Sequence, residues 1–108
     1  MGNHHTPRRA PPAHLTAEGR ALWSRLYRER TYNETSSLLL LTSLCEAHDR
    51  ARQCREALNG APLTVTDKHG GVRINCLLVE ERAQREQMMR LARVLRIHLE
   101  PPEDNDAA

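Results

Sequence analysis

The sequence predicts a mainly α-helical chain in the order helix, long helix, β-hairpin, helix, with disordered ends and a ring-type homo-oligomer as its working form. Three observations predict it. Apolar residues recur at three- and four-residue spacing through long stretches, which is the mark of helix faces. One short stretch around Gly70-Gly71 switches to two-residue alternation, the mark of strands. The 108 residues include no Phe, one Trp and two Tyr, so a core of Leu, Val and Ala is thin, and burial against copies of the chain would complete it. One domain is expected: a flexible basic arm over residues 1–15, a helical oligomerisation domain over 16–100 with its hairpin at 63–75, and a flexible acidic tail over 101–108.

The first helix is expected from about Ala17 to Arg30, with Thr16 as N-cap and Leu15 as the staple residue before it. Leu22, Trp23, Leu26 and Tyr27 share one face, and Arg25 and Arg28 lie opposite. Trp23, flanked by Leu on its own face, reads as a core anchor rather than a platform for bases. The second helix is expected from about Thr35 to Asn59, stopped by Gly60 and Pro62. Leu40, Leu44, Ala47, Ala51, Cys54 and Leu58 alternate by four and three, a heptad-like seam. Leu38, Leu41, Cys45 and His48 add a second stripe, so the front half of this helix needs cover on several sides. Its rear half, with Asp49, Arg50, Arg52, Arg55 and Glu56, is expected to face water on the other side.

Leu63 and Val65 alternate, Asp67-Lys68-His69-Gly70-Gly71 breaks the chain, and Val72 and Ile74 alternate again, which predicts one hairpin with both glycines free to take positive φ. The third helix is expected from about Cys76 to Ile97, capped by Asn75, with Met88, Leu91, Ala92 and Leu95 on its late apolar face. Glu81 with Arg85 and Glu86 with Arg90 are four-apart pairs in the favourable order. Arg82, Arg85, Arg93 and Arg96 fall on one flank of the same helix.

The formal net charge is +2, too small to establish a nucleic-acid partner, but it is unevenly spread. Arg8 and Arg9 stand in a front segment with no acid, whereas Glu103, Asp104 and Asp106 crowd the last residues. Fifteen of the sixteen basic residues are Arg, which suits phosphate and carboxylate forks and is equally what a GC-rich genome would encode. No apolar run is long enough to span a membrane, and the first residues lack the apolar core of a signal peptide, so an intracellular location is expected.

Catalysis finds little to use. Cys45 and His48 lie one helical turn apart, but Cys54 falls about 180° from Cys45 on that helix, so the cysteines do not converge as zinc ligands must. Buried structural thiols are the better reading. The glycines lack the spacing of a phosphate loop, and no Ser stands in a nucleophile elbow. No catalytic residue, metal or cofactor is expected. A helix-turn-helix reader is disfavoured because the second helix would begin Ser36-Ser37-Leu38-Leu39-Leu40-Leu41, a surface for protein and not for a groove.

One family ties these features together. Pro12-x-His14-Leu15 leads into a helix with Trp23, and a long Leu/Ala/Cys helix ends at Leu58-Asn59-Gly60. A Val65-Thr66 strand and Gly70-Gly71 turn follow, then Asn75-Cys76-Leu77 opens a helix closing with Leu91-Ala92-Arg93-Val94-Leu95. In order and spacing, Pro12 to Leu99 resembles the small-terminase family of phages that package DNA from cohesive-end-type concatemers. The chain departs from that pattern at Cys76, where the family often has Pro, and at Leu95-Arg96-Ile97-His98-Leu99, where it often has a Leu-Gly-Leu-Thr-Pro-like stop, so the last helix is expected to run on. The resemblance implies a ring-forming, non-enzymatic subunit that engages double-stranded viral DNA and presents it to the large terminase subunit, the ATPase and nuclease. The alternative is a helical adaptor or small transcription regulator with no packaging role.

Within that reading, the oligomer interface is expected at Leu38, Leu41, Leu44, Met88, Leu91 and Leu95. DNA contact is expected to be electrostatic, through Arg8, Arg9, Arg25, Arg28, Arg93 and Arg96. Arg93 and Arg96 rank above Arg85 and Arg90, whose acidic partners stand four residues earlier.

Overall fold

The computed structural model describes residues 9–30 and 32–98. Arg8, the acidic tail from 101 to 108 and most of the basic arm lie outside them. The chain folds as α1 (Ala17–Arg30), α2 (Thr35–Leu58), β1 (Thr64–Thr66), β2 (Val72–Ile74) and α3 (Cys76–Leu95). It is mainly helical with a two-stranded antiparallel hairpin between the second and third helices, as the periodicities require.

α2 is the central element. α1 lies antiparallel to it: Thr16 at the start of α1 meets Asp49, and Trp23 farther along meets Thr42. α3 also runs back along α2, its early Glu81 meeting Arg55 near the end of α2. Arg30 at the end of α1 donates to the carbonyl of Arg96, just beyond α3, at 2.7 Å. The two apolar stripes of α2 are thereby covered by this chain's own helices. Leu41, Leu44 and Cys45 are fully buried, with Leu15, Trp23, Leu26, Tyr27, Leu91, Ala92 and Leu95 around them. Each fully buried Leu contributes about 1.5–3 kcal/mol by leaving water. Trp23 stacks on Tyr27 with ring centroids 5.1 Å apart and donates from Nε1 to the Thr42 hydroxyl, a core anchor with its polar edge satisfied.

The start of α1 differs from expectation in two ways. Leu15, assigned to the flexible arm, is buried in the core, and its N–H closes a turn onto the Pro12 carbonyl. Thr16 does cap the helix, its hydroxyl accepting from the Gly19 N–H at 3.1 Å. That hydroxyl also donates to the carboxylate of Asp49 at 2.7 Å, and the Thr16 N–H donates to the same carboxylate at 2.8 Å. Asp49, expected to face water, is only 6% exposed. An acidic side chain from α2 thus neutralises the orphan donors and the positive end of α1. Gly19 leaves room for it: a Cβ there would stand 2.4 Å from both carboxylate oxygens.

The hairpin pairs Thr64 with Ile74, Val65 with Arg73 and Thr66 with Val72. Asp67 builds the loop, its Oδ1 accepting from the N–H groups of His69 and Gly71 in an Asx-type turn. Of the two loop glycines only Gly70 takes positive φ, at 84°; Gly71 matters instead for space, since a Cβ would lie 2.8 Å from the Asp67 carboxylate. Asn75 caps α3 by accepting from the Leu77 N–H and ties it to the hairpin's entry by donating to the Pro62 carbonyl.

α3 ends at Leu95 and does not run on. The Arg96 N–H bonds to the Arg93 carbonyl and the Ile97 N–H to that of Ala92, the paired bonds of a Schellman stop. Arg96 sits at φ 58°, ψ 39°, where glycine is the natural occupant. Ile97 packs against the core and fixes the turn. Replacing Arg96 with Gly should therefore raise unfolding free energy by about 0.5–1 kcal/mol despite the looser unfolded chain. Urea denaturation followed by circular dichroism measures it, and a loss of stability would show that the Arg96 side chain contributes more than its backbone costs.

Candidate nucleic-acid interface

The sequence-predicted sites are distributed differently from expectation. Leu41, Leu44, Leu91 and Leu95, expected at an oligomer interface, are buried inside the chain's own core, and Leu38 and Met88 pack half-buried against it. The reason is that α1 and α3 together cover the wide apolar girth of α2. The four buried leucines therefore offer no surface to another copy. Among the described residues, the exposed large apolar side chains are Leu39, Leu63, Val65, Val72, Ile74, Val79 and Val94. Four of these are on or beside the hairpin, and all six of its strand residues are exposed.

The DNA-contact candidates separate as well. Arg9 and Arg28 are exposed, Arg25 is held 3.8 Å from Glu29, and Arg8 is outside the described residues. Arg93 lies on α3, but Arg96 has left the helix through its left-handed turn, so the two do not form one flank. The four-apart pairs expected to occupy Arg85 and Arg90 are replaced by other partners. Glu81 is taken by Arg55 of α2 at 2.9 Å, and Arg90 bonds to Gln87 at 3.1 Å.

The consequence is a basic groove in which Arg85 and Arg90 stand together with Arg82 and Arg93. It runs between the hairpin and α3 with a cavity volume of about 910 Å³. Leu63, Ile74, Leu78, Val79 and Met89 line its apolar part, and Arg82, Arg85, Arg90 and Arg93 its basic part. Glu86 also faces it, as does Glu81, whose charge is already engaged by Arg55. The sequence shows Arg82, Arg85 and Arg93 on one flank of α3, with Arg96 expected where the groove has Arg90; it does not show Arg55 competing for Glu81.

Elsewhere the polar contacts are structural. Arg52 bridges Glu18 at 2.7 Å and Glu56 at 2.8 Å, and His14 meets Glu46 at 2.6 Å, joining the α1 region to α2. His48 Nδ1 lies 3.6 Å from the Asp49 carboxylate. Burial, reinforced by Asp49 and Glu46, pushes the Cys45 thiol up to about 12. Burial, with Glu80 and Glu81, also raises Cys54. Both thiols are poor nucleophiles and poor metal ligands in this state. Among the described residues, no three His, Cys, Asp or Glu side chains come together as a metal site, and no helix is long and apolar enough to cross a membrane. Compared with protein-family models, curated proteins and solved structures, the chain gives no significant match.

Proposed function

We propose that this chain is a non-enzymatic, self-assembling DNA-packaging subunit of small-terminase type, which engages double-stranded viral DNA and presents it to a large ATPase-nuclease subunit. The observation that carries the reading is the bare hairpin. A two-stranded ribbon is marginal in water unless something covers it, yet Val72 at its outer end is 70% exposed and Val65 44%. Copies arranged around a closed ring supply that cover at every subunit. The ring in turn repeats the arginines of α3, so weak phosphate contacts from each subunit sum to a strong, salt-dependent attraction. The order of elements, with its Asn75-capped last helix, is what the resemblance to small terminases rests on.

The test has two readings. Light scattering should give a closed oligomer of more than two copies, whereas a dimer would favour the adaptor or regulator and a monomer at micromolar concentration would end the ring. Arg85→Glu with Arg93→Glu should then lower duplex affinity about tenfold at low salt and flatten the salt slope by about one unit for each phosphate no longer neutralised. Arg25→Glu with Arg28→Glu serves as a comparison on the exposed face of α1. If neither pair changes the salt series, these arginines serve only to keep helix faces in water.

A further inference from the structure

We propose that the groove between the hairpin and α3 is the docking site of this chain's own acidic segment, residues 99–106, which covers the groove arginines until DNA displaces it. The docking stands on the groove; its effect on DNA rests on the function proposed above.

The groove selects its occupant by chemistry. Arg82, Arg85, Arg90 and Arg93 face it, while Glu81 is engaged by Arg55, so Glu86 is the acid left to oppose them. The surplus favours an anion. The apolar surface formed by Leu63, Ile74, Leu78, Val79 and Met89 favours an occupant that also brings carbon. A duplex backbone offers charge without apolar surface, whereas a short acidic peptide with aliphatic side chains offers both. Residues 99–106 read Leu-Glu-Pro-Pro-Glu-Asp-Asn-Asp. They carry four acids and no base, matched by four groove arginines, with Leu99, Pro101 and Pro102 as apolar partners. Elsewhere in the sequence acids are interspersed with arginines, so this segment is the concentrated negative stretch of the chain.

Reach permits it. α3 stops at Leu95 through the left-handed turn at Arg96, so the following residues leave the helix axis. Arg93 and Arg90 lie within about 8 Å of Leu95 along that axis, and Arg82 about 20 Å back. Eight extended residues span about 27 Å. Arg–carboxylate contacts at an open groove are individually weak, so docking is reversible, as a displaceable cover requires.

Replacing Leu99 with the photoreactive p-benzoylphenylalanine in the full chain tests the contact at whatever oligomeric state it adopts. Irradiation should give crosslinks to Met89, or to Arg90 and Arg93 beside it, since Leu99 reaches about 14 Å from Leu95, within chains that still migrate as monomers on a denaturing gel. Crosslinks scattered over other surfaces, or no crosslinks, would overturn docking. A dimer-sized product carrying the same crosslinks would assign the groove to a second copy's tail and overturn docking within the chain. In parallel, Glu100→Gln, Glu103→Gln, Asp104→Asn and Asp106→Asn together should raise duplex affinity about tenfold at low salt, with the gain abolished by Arg82→Gln and Arg85→Gln. A gain that survives those two changes would mean a diffuse charge effect and no docked segment. If neither the parent nor the neutralised chain binds DNA, the DNA reading fails while the crosslinks still decide the docking.

Discussion

Asp49→Ala should lower the unfolding free energy by about 2–4 kcal/mol, a large effect for a side chain that a helical wheel assigns to solvent. The carboxylate accepts from the N–H and the hydroxyl of Thr16. Its removal leaves the start of α1 with orphan donors, and it undoes the side-chain contact that pins that end of α1 onto α2. Gly19→Ala should be nearly as harmful in the parent, costing about 2–3 kcal/mol although Gly→Ala inside a helix ordinarily gains about 1. The new methyl would occupy the space of the Asp49 oxygens, 2.4 Å away, and drive them off Thr16. In the Asp49→Ala background the same Gly19→Ala change should instead stabilise by about 0.5–1 kcal/mol. The four proteins form a double-mutant cycle, read by urea denaturation, with an expected coupling of about 2.5–4 kcal/mol. Simple additivity would sink the account of Gly19 as a seat for Asp49.

This pair also shows what the sequence conceals. The elements were legible because they rest on local signals: Thr16 and Asn75 as caps, Gly60 as a stop, alternation on either side of Gly70-Gly71. Each acts within a few residues of itself. Asp49 was misplaced because its partner is a helix end thirty-three residues away in sequence, and helix periodicity carries no information about what lies opposite. Glu81 was misassigned for the same reason, since its cross-helix partner Arg55 competes with the four-apart Arg85. The interface residues were misjudged in the other direction. The stripes of α2 truly need cover, but periodicity cannot tell a second copy from the chain's own α1 and α3. Two local features are also hidden in the sequence: the last-helix stop, because a left-handed Arg96 gives no glycine to read, and Gly71, whose φ is not positive.

The second large effect follows from that correction. Leu44→Ala should cost about 2–5 kcal/mol, because the residue is fully buried and its neighbours Leu41 and Cys45 are too tightly held to fill the space. Leu44→Glu should leave an unfolded or aggregated chain rather than a folded, dissociated subunit, since an unpaired carboxylate would sit in the core. By contrast, Val65→Lys with Val72→Lys should leave the melting temperature of the folded subunit nearly unchanged, as exposed substitutions usually do, while abolishing assembly. Circular dichroism melts paired with sedimentation velocity separate the two outcomes. A Leu44→Glu chain that is folded and monomeric would return the interface to α2. A Val65/Val72 double variant that still assembles would remove the hairpin from it.

The placement of the hairpin has a further meaning for how the molecule opens. α2 is sandwiched between α1 and α3 from about Leu41 to Asp49, so its amide protons in that stretch are released only when the whole fold opens. The ribbon hangs from that body by its two ends, which the bond from Asn75 to the Pro62 carbonyl clasps together, with no buried residue in either strand. It is therefore a separate cooperative unit of low stability, able to fray and re-form while the helices stay intact. Hydrogen exchange in β1 and β2 thus acts as a gauge of occupancy, rapid in a lone subunit and slowed wherever a neighbour holds the ribbon shut.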